Sequence, residues 1–370
     1  MASNIGRLAA RELQRTYPWI SPPFIVGAPM RVISGPKLAV AISGAGGLGF
    51  IGPGAKPADL DDSLSQTPSL LESLPQSSPT LAHLDRYVIL PIGVGFQTWA
   101  GDLETTARIM RAHPPPAAAW LFAPRHGQKE LDEWSVGIRA ATDSKTKIWI
   151  QIASVAEAKA AAASKERPDV LVVQGADAGG HSRTKGAGLM TLLPEIADEL
   201  KKDSNLPQIP LVAAGGIIDA RGVVAGTVLG AAASAMGTRF LAANEANINP
   251  GYVQHVLDAT DGGQSTVRTQ LYNHLRGTMD WPAEYDARGL ANASWRDHEA
   301  GVSFELLQER HAEAAKKGVK GWGEAEGRMA TYSGTGVGLV RERMGAAEIV
   351  EQIRKDVRRV LDEANTAVYE

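Results

Sequence analysis

The run DVLVVQGADAGGHSRTKGAGLMTLLPEIADELKKDSNLPQIPLVAAGG, residues 169–216, decides the fold. It opens on the apolar stretch DVLVVQG (169–175), crosses a glycine-rich turn, continues as a helix-length segment over 189–203 and ends on IPLVAAG (209–215). Both apolar stretches are continuous rather than alternating, as strands covered on both faces must be. Strand, helix and strand at this spacing form a βαβ unit, whose two strands run parallel.

The rhythm extends in both directions. Candidate strands upstream are FIVGAP (24–29), LGFIG (48–52), VILPIGVGF (88–96), AAWLFA (118–123) and KIWIQIA (147–153), and AASAMGTRF (232–240) follows downstream. Helical stretches at 102–113 and 154–166 separate them, the second opened by Ser154 and Glu157 in a capping box. Eight strands with right-handed crossovers predict an α/β protein, a closed (β/α)8 TIM barrel with its site at the C-terminal strand ends. An open doubly wound sheet is the alternative. The Pro- and Ser-rich stretch 53–86 reads as a long connection, a lid or a mobile insertion. After 245 the pattern shifts to turns and helices, ending at 346–368 with Ile349, Ile353, Val357, Val360 and Ala364 on one helical face. The expected division is a barrel over 1–245 and a smaller C-terminal helical region over 246–370 packed on it.

Composition narrows the function. Among 370 residues, 38 Lys and Arg stand against 41 Asp and Glu, so no basic face advertises nucleic acid and a small-molecule ligand is expected. Cysteine is absent, which removes disulfides, thiolate metal sites and Cys nucleophiles; redox work then needs a bound cofactor. The longest apolar stretch, 223–237, is too short for a membrane span and is broken by three glycines. The first residues put Arg7, Arg11 and Arg15 on one helical face, but Glu12 and Pro18 favour a short capping helix over a targeting segment. A cytoplasmic location is expected, with organelle targeting left open.

Glycines mark the candidate loops. GAGGLG (44–49) has dinucleotide-binding spacing, yet a helix-like segment precedes it and a strand follows, so a helix C-cap turning into a strand explains it better. Gly215 and Gly216 end the seventh strand before a helix starting near Asp219, and Met236, Gly237 and Thr238 end the eighth. Loops after strands seven and eight are this fold's usual phosphate site. At the tip of strand six, Gln174 precedes Gly179 and Gly180, which let backbone approach a flat ligand, and then His181. An imidazole there can take a proton from carbon near neutral pH. The other seven histidines have no such setting, and no metal, nucleophile-elbow or Walker pattern occurs.

Taken together, GAPM (27–30), AVAISGAGGLGFIG (39–52), IQIASVAEA (150–158), QGADAGGH (174–181), AAGGI (213–217) and MGTRF (236–240) make the chain resemble the nitronate monooxygenase family, formerly 2-nitropropane dioxygenases. The resemblance implies FMN and oxidation of alkyl nitronates by dioxygen to a carbonyl compound and nitrite, without a metal. It implies that Ala28, Pro29 and Met30 line the flavin, that Gln151 and Gln174 reach its ring or ribityl chain, and that Gly179 and Gly180 border the isoalloxazine. Gly215, Gly216, Gly237 and Thr238, beside Met236, would hold the phosphate through backbone N–H groups. His181 would be the base for a neutral nitroalkane or the group orienting the nitronate anion. Many relatives carry Asn at the tip of strand three, where this chain has Gly95, and the part beyond 245 matches loosely.

Two other readings remain at this level. NAD(P)H-dependent reductases of quinones or enoyl thioesters share the barrel and its flavin loops. A noncatalytic flavin-binding barrel would use the 53–86 stretch or the last helix as an interaction surface. A homodimer is left open.

Overall fold

In the computed structural model, which describes residues 2–54, 57–83, 88–203, 206, 208–323 and 325–369, eight parallel strands close into a barrel. They are β1 (Ile25–Gly27), β2 (Leu48–Ile51), β3 (Leu90–Gln97), β4 (Pro116–Phe122), β5 (Lys147–Ile152), β6 (Val170–Gln174), β8 (Leu211–Ala214) and β9 (Ala233–Met236), with β9 pairing back to β1. The eight expected strands are therefore the eight of the barrel, in the expected order.

Side-chain alternation sorts two cores. Val26, Phe50, Trp120, Trp149, Val172 and Val212 point inward and fill the barrel, with Phe50 5.1 Å from Trp149 and 5.2 Å from Trp120 between ring centroids. The chain leaving α1 (Ala2–Thr16) seals the end opposite the strand tips: Tyr17 is wholly buried, and its hydroxyl accepts a 2.8 Å hydrogen bond from Trp149 Nε1. The alternate residues Ile51, Val94, Ile150, Val173 and Ala213 face outward under the helices.

The surrounding helices are α2 (Pro36–Gly44), α3 (Pro57–Glu72), α5 (Leu103–Ala112), α6 (Gln128–Ala141), α7 (Val155–Ala163), α8 (Leu189–Lys202) and α9 (Ala220–Val228), with the one-turn α4 (Pro79–Ala82) before β3. The capping box at α7 forms: Ser154 Oγ accepts from Glu157 N–H, and Glu157 Oε2 accepts from Ala153 N–H at 2.8 Å. The glycines of GAGGLG end α2 and turn into β2. Gly46 is left-handed at φ +78°, and Gly49 lies so close to α2 that a Cβ would stand 2.5 Å from Ala39 Cα.

Three expectations change. The stretch 53–86 is not a structureless connection, because α3 lays Leu60, Leu64, Thr67 and Leu71, spaced on one face, against α2 and α5. The region beyond 245 is not only helical. It carries α10 (Pro250–Asp258), α11 (Gly262–Ser265), α12 (Leu271–Leu275), α13 (Ala293–Glu299) and α14 (Phe304–Lys316), but also β10 (Thr266–Thr269) and β11 (Tyr285–Leu290). β11 pairs antiparallel with both β10 and β7 (Gly180–Arg183), giving a three-stranded sheet of order β10-β11-β7, so His181 lies on a strand rather than in a loop.

The third change concerns the last helix, α15 (Ala346–Tyr369). It packs between α9 and α2, burying Ile349, Val350 and Ile353, while Arg354 donates to the carbonyls of Ala45 and Gly46 at the end of α2. It is the eighth helix of the barrel, separated from its strand β9 by the excursion that carries β10 and β11. Among the described residues no helix is long and apolar enough to cross a membrane.

Candidate active site

The alternation that fills the barrel also sets which strand tips can reach a ligand. In β6, Val170 and Val172 point inward, so Gln174 does too; in β5, Gln151 follows inward Trp149. Gln151 is held from one side, its Oε1 accepting from Trp120 Nε1 at 2.9 Å. Gln174 Nε2 makes a long 3.4 Å contact to the His181 carbonyl, and its Oε1 is buried with no partner among the described residues. Met236 is oriented differently. Ala235 takes the inward face, so the Met236 side chain is wholly buried in the outer layer, and only its carbonyl turns to the loop, accepting from Ala28 N–H at 2.9 Å.

The loops behind β1 and β9 meet. A Cβ on Gly237 would have only Met30 Sδ at 3.8 Å and Ala28 Cβ at 3.9 Å nearby, so the three residues line one open corner. Met30 N–H donates to Ser34 Oγ at 2.7 Å, which steadies the turn. Pro29 lies against Gly95: a Cβ there would stand 2.3 Å from Pro29 Cβ. Proline thus occupies the volume that an Asn at this strand tip would need, and the inward polar side chain of β3 is instead Gln97.

Gly215 and Gly216 are left-handed, at φ +102° and +77°, and Gly180 at +68°, conformations that side chains rarely adopt. The helix expected near Asp219 is α9, but Asp219 itself caps it, accepting from Arg221 N–H at 2.9 Å. Its carboxylate already takes up the helix's positive end, so a ligand there would rely on the loop rather than the helix dipole.

Sequence reasoning missed the segment YSGTGVG (332–338). Its Gly334 N–H donates to Thr238 Oγ1 at 2.9 Å, and Thr335 donates through N–H and Oγ1 to the Asp177 carbonyl and Oδ1, both at 3.0 Å. Gly179 is where the two chains touch, since a Cβ would lie 2.4 Å from Gly334 N. Ser333 is wholly buried, and its Oγ has no partner among the described residues. The three glycines within seven residues were the available signal.

His181 stands on β7, paired with Ala287 of β11. One ring face is stacked on Trp281, with centroids 3.7 Å apart and planes within 5°. Its Nε2 is 2.9 Å from Asn273 Oδ1, which also accepts from the Tyr332 hydroxyl at 3.0 Å. Asn273 Nδ2 donates to Gln270 Oε1 at 3.1 Å, and Gln270 Nε2 donates to the Tyr285 carbonyl at 2.6 Å. Asn273, Trp281 and Tyr332 carry no sequence motif, and all come from beyond 245.

Electrostatics bear on the two roles expected of His181, base or orienting group. Burial, together with Arg276, Arg31 and Arg268, pulls His181 from 6.5 down to about 3, against a smaller opposing effect of Asn273. The ring is therefore neutral at neutral pH, in a field that favours anions.

A family model for nitronate monooxygenase matches residues 135–356. The chain is 53% identical over 365 residues to nitronate monooxygenase npaC of Metarhizium robertsii, covering 98% of each chain. The chain belongs to the nitronate monooxygenase family. A nitronate monooxygenase of Neurospora crassa is 34% identical over 366 residues, with 95% of this chain and 94% of that one covered. Two solved structures share the fold at 24% identity. FabK of Thermotoga maritima has a TM-score of 0.69, with 96% and 98% of the chains covered, and a nitroalkane oxidase of Streptomyces ansochromogenes has 0.67, with 95% and 99%. As a member of this family of flavin-dependent enzymes, the chain is an oxidoreductase.

The residues present fit a flat, phosphate-bearing group at the nitronate monooxygenase barrel mouth. Two buried oxygens, Gln174 Oε1 and Ser333 Oγ, have no partner among the described residues, and the three left-handed glycines Gly180, Gly215 and Gly216 present bare backbone at the strand tips.

Proposed function

We propose that the chain uses FMN to oxidise alkyl nitronates with dioxygen to a carbonyl compound and nitrite, with His181 orienting the nitronate anion. The observation that carries this reading is the neutral, largely buried His181 ring amid Arg31, Arg268 and Arg276. A group with a pKa of about 3 is a weak proton acceptor near neutral pH, whereas the same positive field attracts an anion that has already lost its proton.

Ala28, Met30 and Gly237 would border the flavin on one side and Gly179 and Gly180 on the other, with Gln151, Gln174 and Gln97 as polar contacts. Gly215, Gly216 and Gly237 would offer backbone N–H groups to the phosphate. Thr238 Oγ1 accepts from Gly334 N–H, which leaves its own proton to donate to a phosphate oxygen. FMN supplies the electron transfer from nitronate to dioxygen. The protein's part is to bind the anion, hold it against His181 and keep water from that face with Trp281 and Tyr332.

Anaerobic titration of the purified yellow protein with propionate-3-nitronate and then NADH tests the reading. Nitronate should bleach the flavin absorbance quickly and NADH hardly at all. Fast bleaching by NADH alone would replace it with the reductase reading, and bleaching by neither would leave only a flavin-binding barrel.

A further inference from the structure

We propose that Gln270, Asn273 and Tyr332 are positioning residues that hold His181 as its Nε2–H tautomer, leaving at Nδ1 a lone pair that repels the oxygens of a nitronate and so turns them toward Arg31 and Arg276. The proposal rests on the reading of His181 as the group that meets the nitronate.

Direction enters at a backbone carbonyl. The Tyr285 carbonyl can only accept, so the Gln270 atom 2.6 Å from it must be the amide nitrogen. Gln270 Oε1 then faces Asn273 at 3.1 Å and can only accept, which makes Nδ2 the Asn273 atom that meets it. Asn273 Oδ1 therefore faces His181 Nε2 at 2.9 Å, and the shared hydrogen must sit on the ring. The Tyr332 hydroxyl accepts from Arg276, which leaves its own proton for Asn273 Oδ1 at 3.0 Å and so opposes a flip of that amide. Asn273 is buried, so reversing this chain would leave donors facing donors without water to relieve them. Nδ1 has no partner among the described residues and is not among the sealed polar atoms.

The charged and titratable groups around the ring do not oppose this assignment. Arg31 behind β1, Arg268 on β10 and Arg276 after α12 all disfavour a second ring proton, and Tyr332 from the C-terminal segment is held protonated by burial. Arg268 is itself paired with Asp286. Stacking on Trp281 fixes the ring plane, so the tautomer alone decides which nitrogen carries the lone pair.

The test is ¹⁵N NMR of histidine-labelled flavin-bound protein, with His181 assigned from the signals lost in His181→Asn. The wild type should show His181 as a neutral Nε2–H ring from pH 5 to 9. Asn273→Asp, whose carboxylate stabilises the imidazolium, should bring His181 protonation into that range. Gln270→Leu, which touches no atom of His181, should yield mixed tautomers and lower kcat/KM for nitronate by about tenfold, the loss of one buried hydrogen bond. Tyr332→Phe keeps the packing, so it serves if Asn273→Asp does not fold, and it should give the same mixed spectrum. An Nδ1–H signal in the wild type, or unchanged spectra in all folded variants, overturns the proposal. The reading of His181 itself fails separately, if His181→Asn turns over nitronate as fast as the wild type.

Discussion

The depressed basicity of His181 has a consequence for folding that can be measured without any substrate. In the unfolded chain the ring takes a proton near 6.5, while in the folded protein it resists until about pH 3. Between those values the unfolded state binds more protons, so acid favours unfolding and stability falls as pH drops through the window. Each pH step costs about 1.4 kcal/mol, and at pH 5 the penalty is about 1–2 kcal/mol once solvent at the ring's open edge is allowed for. His181→Asn cannot take up the proton and should lose this part alone. Urea unfolding followed by tryptophan fluorescence at pH 7.5 and 5.0, on wild type and His181→Asn, isolates the difference, because every other group titrates in both. The wild type should lose about 1–2 kcal/mol more than the variant on acidification. Equal losses would mean that His181 is hydrated enough to protonate in the fold, and the case for a neutral orienting group would go with it.

Three further outcomes follow from the packing. Gly179→Ala puts a methyl 2.4 Å from Gly334 N; overpacking of about 1–3 kcal/mol should loosen the 332–338 segment and weaken FMN retention by about 10- to 100-fold, read from flavin fluorescence on dilution. Unchanged retention would separate that segment from the cofactor. Tyr17→Phe leaves Trp149 Nε1 without its acceptor and should cost about 1–3 kcal/mol in urea unfolding while kcat stays at the wild-type value, since the pair lies at the far end of the barrel; a fall in kcat would show that the two ends are coupled. Glu157→Ala removes both the cap on Ala153 N–H and the carboxylate that Arg183 of β7 grips at 2.6 and 2.8 Å; a loss of about 2–4 kcal/mol is expected by the same assay.

The barrel was legible because strands buried on both faces must be apolar along their whole length, and glycine pairs at their tips stand out against such runs. Strand β7 was not: GHSR is short and polar, and its partner at 285–290 lies about a hundred residues away, so no local pattern could announce the pairing. The helix over 57–72 was hidden by its composition, including Pro68 inside it, although the spacing of Leu60, Leu64 and Leu71 carried the signal. His181 could be picked out by its place after two glycines, but not its protonation, which depends first on burial and then on Asn273 and on arginines from three separate parts of the chain. At Met236 the alternation limits what is expected: Ala235 takes the inward position and a strand cannot turn two successive side chains the same way, so Met236 would meet a ligand through its backbone alone.

The displacement of α15 from its strand bears on how the protein is made. On a ribosome adding about 5–20 residues per second, the roughly hundred residues between β9 and α15 take about 5–20 s to appear. Throughout that interval the apolar flanks of α9 and α2 stand open where Ile349, Val350 and Ile353 will dock, while the segments bearing Asn273, Trp281 and Tyr332 are made ahead of that helix. The walls of the candidate site thus emerge before the last stave of the barrel, and a nascent chain stalled there offers chaperones a sticky seam instead of a finished enzyme.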